Sequence, residues 1–258
     1  MAIHPSAIVD ASARVPESCV IGPFCVVGAD VEMGEHCELI SHVSLTGPTK
    51  MGSYNRIHPF AVVGSGPQDL SFHGDPTRLE MGDHNEIREY VTIHRGTIKG
   101  GGLTKIGSNC LIMAYAHIAH DCFIGDSVIM ANAATLAGHV IVEDFAGVGA
   151  LSPVHQYVRI GKHSYIGGGT VITQDVMPFA KTSSVREVHA YGANSVGLER
   201  RGFSKERVRA IQRAFRILLA AKLNTTQALE RIEHDVEQTE DVKQLVEFIR
   251  TSERGVLK

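Results

Sequence analysis

The chain has 258 residues, 43% hydrophobic and 21% charged, with a formal net charge of −3. That composition excludes an intrinsically disordered protein, and the charge gives no bulk attraction to nucleic acid or an anionic membrane. No window holds 18 apolar residues, and the N-terminus lacks a basic start followed by an apolar core, so no membrane span and no signal peptide are expected and a cytoplasmic location follows.

From Ile3 onward the chain carries an aliphatic residue or Met at every sixth position, through Ile21, Leu39 and Ile57 to Val63. The same phase resumes at Met81, Ile87 and Ile93, slips by one residue, and runs again from Ile106 to Ile172. A period of six fits neither a helix nor a coiled coil. Position i+1 is often Gly, and position i+4 is small or β-branched. This is a hexapeptide repeat, in which three short strands make one triangular coil and residues 18 apart stack. Tryptophan is absent, which suits a narrow interior of small and aliphatic side chains. All five cysteines (Cys19, Cys25, Cys37, Cys110, Cys122) fall at position i+4, where a reduced thiol is an interior filler.

Two stretches break the repeat. The first, 64–80, keeps the phase and reads as one coil replaced or extruded as a loop. The second, 95–105, shifts the phase by one; its GGG lacks the sequel of a phosphate-binding loop and reads as structural. Function is expected where a regular scaffold is interrupted. The repeat fades after 176–178. Residues 179–198 read as a linker with turns, and 199–258 as a helical subdomain. In that tail Ser204 is a candidate N-cap for a helix through Lys222, Thr225 or Thr226 for a second, and Asp241 for a third. Its arginines form a local basic patch.

The stretches GPQDL (66–70), IREYVTIHRGT (87–97), GGGLTKIG (101–107), AHIAHDC (116–122), LAGHV (136–140), VHQ (154–156) and RRGFS (200–204) resemble the UDP-N-acetylglucosamine O-acyltransferase family across essentially the whole chain. The resemblance implies a left-handed parallel β-helix with a C-terminal helical subdomain, assembled as a homotrimer. It implies transfer of an R-3-hydroxyacyl chain from acyl carrier protein to the 3-position of UDP-N-acetylglucosamine, the first step of lipid A synthesis. It makes His120 the general base, with Asp121 orienting its ring and the Gly138 N–H receiving the oxyanion. Neighbouring residues of a strand point to opposite faces, so a His120–Asp121 contact requires a corner or a second subunit. By the same resemblance Gln68, Asp69, His94, His117, His139, His155, Gln156, Asn194 and Arg200 line the substrate cleft between subunits, and Gly168 sets acyl length, its small size favouring a longer chain. No metal and no permanently bound cofactor are implied; the acyl group rides on the phosphopantetheine of acyl carrier protein. His4, His36, His42, His58 and His163 match no motif and read as scaffold.

Some positions depart from the family pattern. Ser71 stands where Lys is common, Val196 replaces an acidic residue, and 183–193 lacks a GN motif. A 3-amino sugar acceptor therefore stays open. Three alternatives also stand: an N-acyltransferase of the same pathway, for which no N-terminal sugar-binding domain precedes Ile3; a γ-carbonic-anhydrase-like zinc enzyme using His94, His117 and His120; and a solenoid without chemistry.

Overall fold

The computed structural model describes residues 2–184, 188–220 and 222–258. Residues 185–187, within the 183–193 stretch, and Ala221, within the expected first helix, lie outside the described residues. Very short strands, mostly of two residues, alternate with turns and stack into three sheets of 11, 8 and 7 strands, parallel except for the last strand of the first sheet. The first sheet begins at Ala2–Ile3, the second at Ile8–Val9 and the third at Val31–Met33. Successive strands of the chain visit them in rotation, so the molecule is a three-sided prism with three edges.

Stacking follows the six-residue period. Ile21 pairs with Leu39, and Ile112 with Met130, each 18 residues apart. Positions i and i+4 point inward: Ile21, Cys25, Leu39, Val43, Ile112 and Ala116 are all at most 1% exposed. Burying each aliphatic chain of that interior contributes roughly 1.5–3 kcal/mol. The five cysteines are buried there too, and burial pushes the Cys37 and Cys110 thiols up to about 11 and Cys122 to about 12.

Position i+3 carries a feature that periodicity did not reveal. Residue after residue in this slot, from Phe24 to Phe179, adopts a positive φ of 51–65° without being glycine. A left-handed residue turns the chain sharply at each edge, and such a residue costs about 1–3 kcal/mol when L-configured. On the edge between the first and second sheets the slot holds rings, and Phe24, His42, Phe60, Tyr90 and Tyr115 stack at 4.9–5.0 Å. That is the strand spacing itself, so each ring covers the next.

Both interruptions leave from one edge, between the second and third sheets. The first lies between Val62–Ser65 and Arg78–Met81, the second between Thr92–His94 and Leu103–Ile106. The first is not a replaced coil. Ile57 pairs with Ile87 directly across it, so no rung is missing and the extra chain is a corner loop. The second holds a short 3-10 turn, Ile98–Gly100.

Residues 179–198, expected as turns, instead contain a hairpin. Ala180–Ser184 extends the first sheet in parallel and Val188–Ala193 closes it antiparallel. Four helices follow: α1 (Ser195–Arg200), α2 (Lys205–Leu218), α3 (Thr225–Asp235) and α4 (Glu240–Arg250). Ser204 caps α2 as expected. Asn224, not Thr225 or Thr226, caps α3, with Gln227 completing a capping box. Thr239, not Asp241, caps α4. Asp241 is buried and holds Arg207 of α2 through two hydrogen bonds of 2.8 Å. A carboxylate committed to a neighbouring helix is unavailable to cap its own.

Candidate active site

The edge that carries both insertions also carries His120. It follows the strand His117–Ile118 of the second sheet, and Phe123–Ile124 of the third comes next. One coil along, Gly138 occupies the same corner, and Gln156 the next. A cavity of about 170 Å³ opens there, lined by Gln68, His94, His117, Ala119, His120, Ala137, Gly138 and Gln156. His120 thus faces a crevice outside the prism, not its interior.

Asp121 sits in the left-handed slot, with φ of 60°. That corner conformation lets adjacent residues meet: the His120 Nδ1–H donates to Asp121 Oδ2 at 2.8 Å. No second subunit is needed for the pair. The contact fixes the proton on Nδ1 and leaves Nε2, with its lone pair, as the atom free to take a proton. Asp121 is 2% exposed, and its other bonds come from the second insertion: the Thr97 N–H donates to Oδ1 at 2.8 Å and the Thr97 hydroxyl to Oδ2 at 2.7 Å. Its own N–H donates to Thr104 Oγ1.

Gly138 packs against the imidazole. A Cβ there would lie 2.5 Å from His120 Cε1 and 2.8 Å from Nε2, so only glycine leaves the ring its place. Among the described residues no acceptor takes the Gly138 N–H. A free N–H beside a free Nε2 is what a general base and an oxyanion donor require.

The other histidines are held by specific partners. His94 donates Nδ1–H to the Gly66 carbonyl at 2.6 Å, which ties the first insertion to this edge. His117 shares a 2.7 Å hydrogen bond with Thr92 Oγ1; burial first, then the nearby His94 and His120, depress its pKa to about 4. It is therefore a neutral hydrogen-bonding group at pH 7. His139, at φ 63°, stacks on Tyr157, and its Nε2 lies 3.7 Å from Asp121 Oδ2; burial lowers its pKa against the pull of that carboxylate. Asp69, in the first insertion, accepts from the Ser71 N–H and hydroxyl at 2.7 and 2.8 Å, which hold its carboxyl below the usual range. Ser71 thus supplies a local brace where a Lys was missed. His155 is exposed, with Nδ1 against the Gln156 carbonyl at 3.1 Å. Thr92, Thr97 and Thr104 went unremarked in the sequence. The signal was their place in TIHRGT and GGGLTK, beside the break in phase.

Gly168, Asn194 and Arg200 do not join this crevice within one chain. They line a separate cleft of about 550 Å³ with Ile129, Gly147 and Tyr165, on the first sheet, which is the face opposite the edge that bears His120. Gly168 packs closely on the neighbouring coil, where a Cβ would lie 3.2 Å from the Ala150 carbonyl oxygen. The Asn194 side chain caps α1 by accepting from the Gly197 N–H. His36 and His42 stack on rings, and His163 lies against Phe145. His58 lies between Glu86 and Glu89, at 2.6 and 3.3 Å.

His120, Asp121 and His139 are the one group of potential metal ligands that converges among the described residues. They are not the trio His94, His117 and His120 of the zinc alternative. Their carboxylate already accepts three hydrogen bonds. Binding an ion would require breaking the contact that sets the His120 tautomer, so this donor set does not fit a resident metal.

Comparison with known proteins bears on the same residues. A family model described as UDP-N-acetylglucosamine O-acyltransferase, domain 2, matches residues 175–257, and one described as bacterial transferase hexapeptide (six repeats) matches 103–138. The acyl-[acyl-carrier-protein]–UDP-N-acetylglucosamine O-acyltransferase of Halorhodospira halophila is 47% identical over 256 residues, covering 99% of each chain. The UDP-N-acetylglucosamine O-acyltransferase of Moraxella catarrhalis superposes with a TM-score of 0.94 at 40% identity, over 100% of both chains. The UDP-N-acetylglucosamine acyltransferase of Bacteroides fragilis does so with 0.95 at 36%, over 99% of this chain and 100% of the other. The prism is accordingly a left-handed parallel β-helix.

Proposed function

This chain belongs to the UDP-N-acetylglucosamine O-acyltransferase family, and from that premise we propose that it moves an R-3-hydroxyacyl chain from acyl carrier protein to the 3-hydroxyl of UDP-N-acetylglucosamine, opening lipid A synthesis. The observation that carries the reading is a His120 ring held through Nδ1, with Nε2 and the Gly138 N–H both unengaged at one corner.

His120 Nε2 takes the proton of the sugar hydroxyl as its oxygen attacks the thioester carbonyl. The new C–O bond places negative charge on the former carbonyl oxygen, which accepts from the Gly138 N–H. Collapse breaks the C–S bond. The departing thiolate of the phosphopantetheine recovers the proton from the His120 imidazolium, which Asp121 stabilises meanwhile. No acyl-enzyme forms. Cys122, two residues from His120, is fully buried with its thiol pushed to about 12 and donating to the Ala137 carbonyl, so it is no nucleophile.

The cleft with Gly168, Asn194 and Arg200 would complete the site from a neighbouring protomer, which is the reason to read the protein as a homotrimer. Outward apolar side chains on the faces, such as Ile129, Ile141 and Tyr165 at 39–43% exposed, suit such burial. No helix of the described residues is long and apolar enough to cross a membrane, and a cytoplasmic site of action fits this reading. The test is an acyl transfer assay with UDP-N-acetylglucosamine, its 3-amino analogue and several acyl carrier chain lengths, run with the parent and His120→Ala. Loss of about 10²–10⁴ in turnover is expected for the variant. Retained turnover overturns the assignment of the base.

A further inference from the structure

We propose that Thr97 is a positioning residue for the acyl transfer, and that the 95–105 insertion is there to hold the Asp121 carboxylate. This rests on the reading of His120 as the base.

An uninterrupted corner on this edge takes few residues, as between Thr135–Leu136 and Ile141–Val142. At the second insertion the chain detours from Thr92–His94 to Leu103–Ile106 and, on the way, wraps Asp121. The Thr97 hydroxyl accepts from the Gly100 N–H at 3.2 Å, as the cap of the 3-10 turn. With that lone pair occupied, its single proton points at Asp121 Oδ2, 2.7 Å away. The Thr97 N–H takes Oδ1 at 2.8 Å. Both carboxylate oxygens are thereby pinned by one residue, which fixes the rotamer that meets His120 Nδ1.

Glycines let the loop close on this group. At Gly100 a Cβ would strike the Asp121 carboxylate, and at Gly96 it would come 2.8 Å from Oδ1. Thr97 itself is 4% exposed, so it acts through Asp121 and not on substrate. The GGG stretch, read from the sequence as merely structural, belongs to the support of the catalytic pair.

The experiment is a double-mutant cycle on the purified protein in the acyl carrier protein assay. Thr97→Val keeps the shape and the N–H but loses the hydroxyl. It should lower kcat about tenfold to a hundredfold, the range for a hydrogen bond to a charged group, with KM for the sugar nucleotide within about twofold. In an Asp121→Ala background the same substitution should change kcat less than about twofold. Thr97→Ser should recover kcat to within about threefold of the parent. Parent-like kcat for Thr97→Val, or the same fold-loss in both backgrounds, overturns the proposal. Should Thr97→Val fail to fold, Gly100→Ala replaces it: its methyl should cost kcat in the parent and little where the Asp121 carboxylate is gone. An inactive His120→Ala with a parent-like Thr97→Val sinks the positioning role alone. A fully active His120→Ala sinks the base reading beneath it.

Discussion

Two edges of the prism share one backbone and differ in most of what is hung on it. Between the first and second sheets, left-handed residues carry rings that stack without a break from Phe24 to Tyr115. Between the second and third sheets the same slot holds Asp121 and His139, and the chain leaves the repeat twice. On the first edge, residues at φ near +60° are covered by neighbours of their own kind, and the repeat can run on indefinitely. On the second, the left-handed turn brings Asp121 back onto His120, and the loops supply the donors that a repeat of six cannot. Histidine shows the contrast most directly. His42 is a ring in a stack, whereas His120 is tied by Nδ1 and free at Nε2.

The comparison sharpens at Gly138. Gly138→Ala would drive a methyl into the His120 ring and obstruct the N–H, so kcat should fall about 10²–10³-fold with the fold retained. Circular dichroism beside the transfer assay checks this. A parent-like kcat would show that the close approach is not needed.

A smaller effect is expected on the edge between the third and first sheets. His163 is buried between rings, and burial first, then Arg201 and Lys162, hold its pKa at about 4, below the ordinary 6.5. The folded state keeps it neutral while an unfolded chain binds a proton. Its contribution to stability is therefore full above about 6.5 and is lost as the pH falls towards 4. His163→Phe should keep the stack and flatten that decline, by on the order of 2 kcal/mol. Denaturant midpoints between pH 7 and 4.5 would show it. An equal decline in both proteins would contradict it, since the variant should keep only the shares of the other groups, His117 and His139 among them.

The smallest change belongs to the thiol. Cys122→Ser should leave kcat within about twofold, because the sulfur faces the core and touches no reacting atom. The stability cost is about 1–2 kcal/mol for a hydroxyl at an apolar site. A collapse in kcat with a normal melting temperature would revive covalent chemistry.

Much of this was legible in the sequence because one constraint dominates it. Ile21, Leu39 and Ile57 share an interior too narrow for anything but aliphatics, so their period survives every change outside. The left-handed slot was not legible, because it accepts Phe, His, Asp, Ser and Ala alike and its requirement is conformational. The common edge of the two insertions could have been found. Val63, Ile93, Ile118 and Leu136 lie in strands of a single face, and tracking faces rather than phase puts both loops beside His120. The caps of α3 and α4 escaped because Asn224, Thr225 and Thr226 offer the same chemistry side by side, and because a tertiary partner, Arg207, had claimed Asp241. The split of Gly168 and Arg200 from His120 is invisible to any reading of motifs in order, since it depends on which face each motif reaches.

The most direct measurement sets the two edges against each other with one substitution. Acyl transfer and thermal melting are compared for His120→Ala and His42→Ala. The expected result is a loss of about 10³-fold in kcat with little change in melting for His120→Ala, and near-parent kcat with a melting temperature lowered by several degrees for His42→Ala. Comparable kcat in both variants would contradict the assignment of chemistry to the interrupted edge.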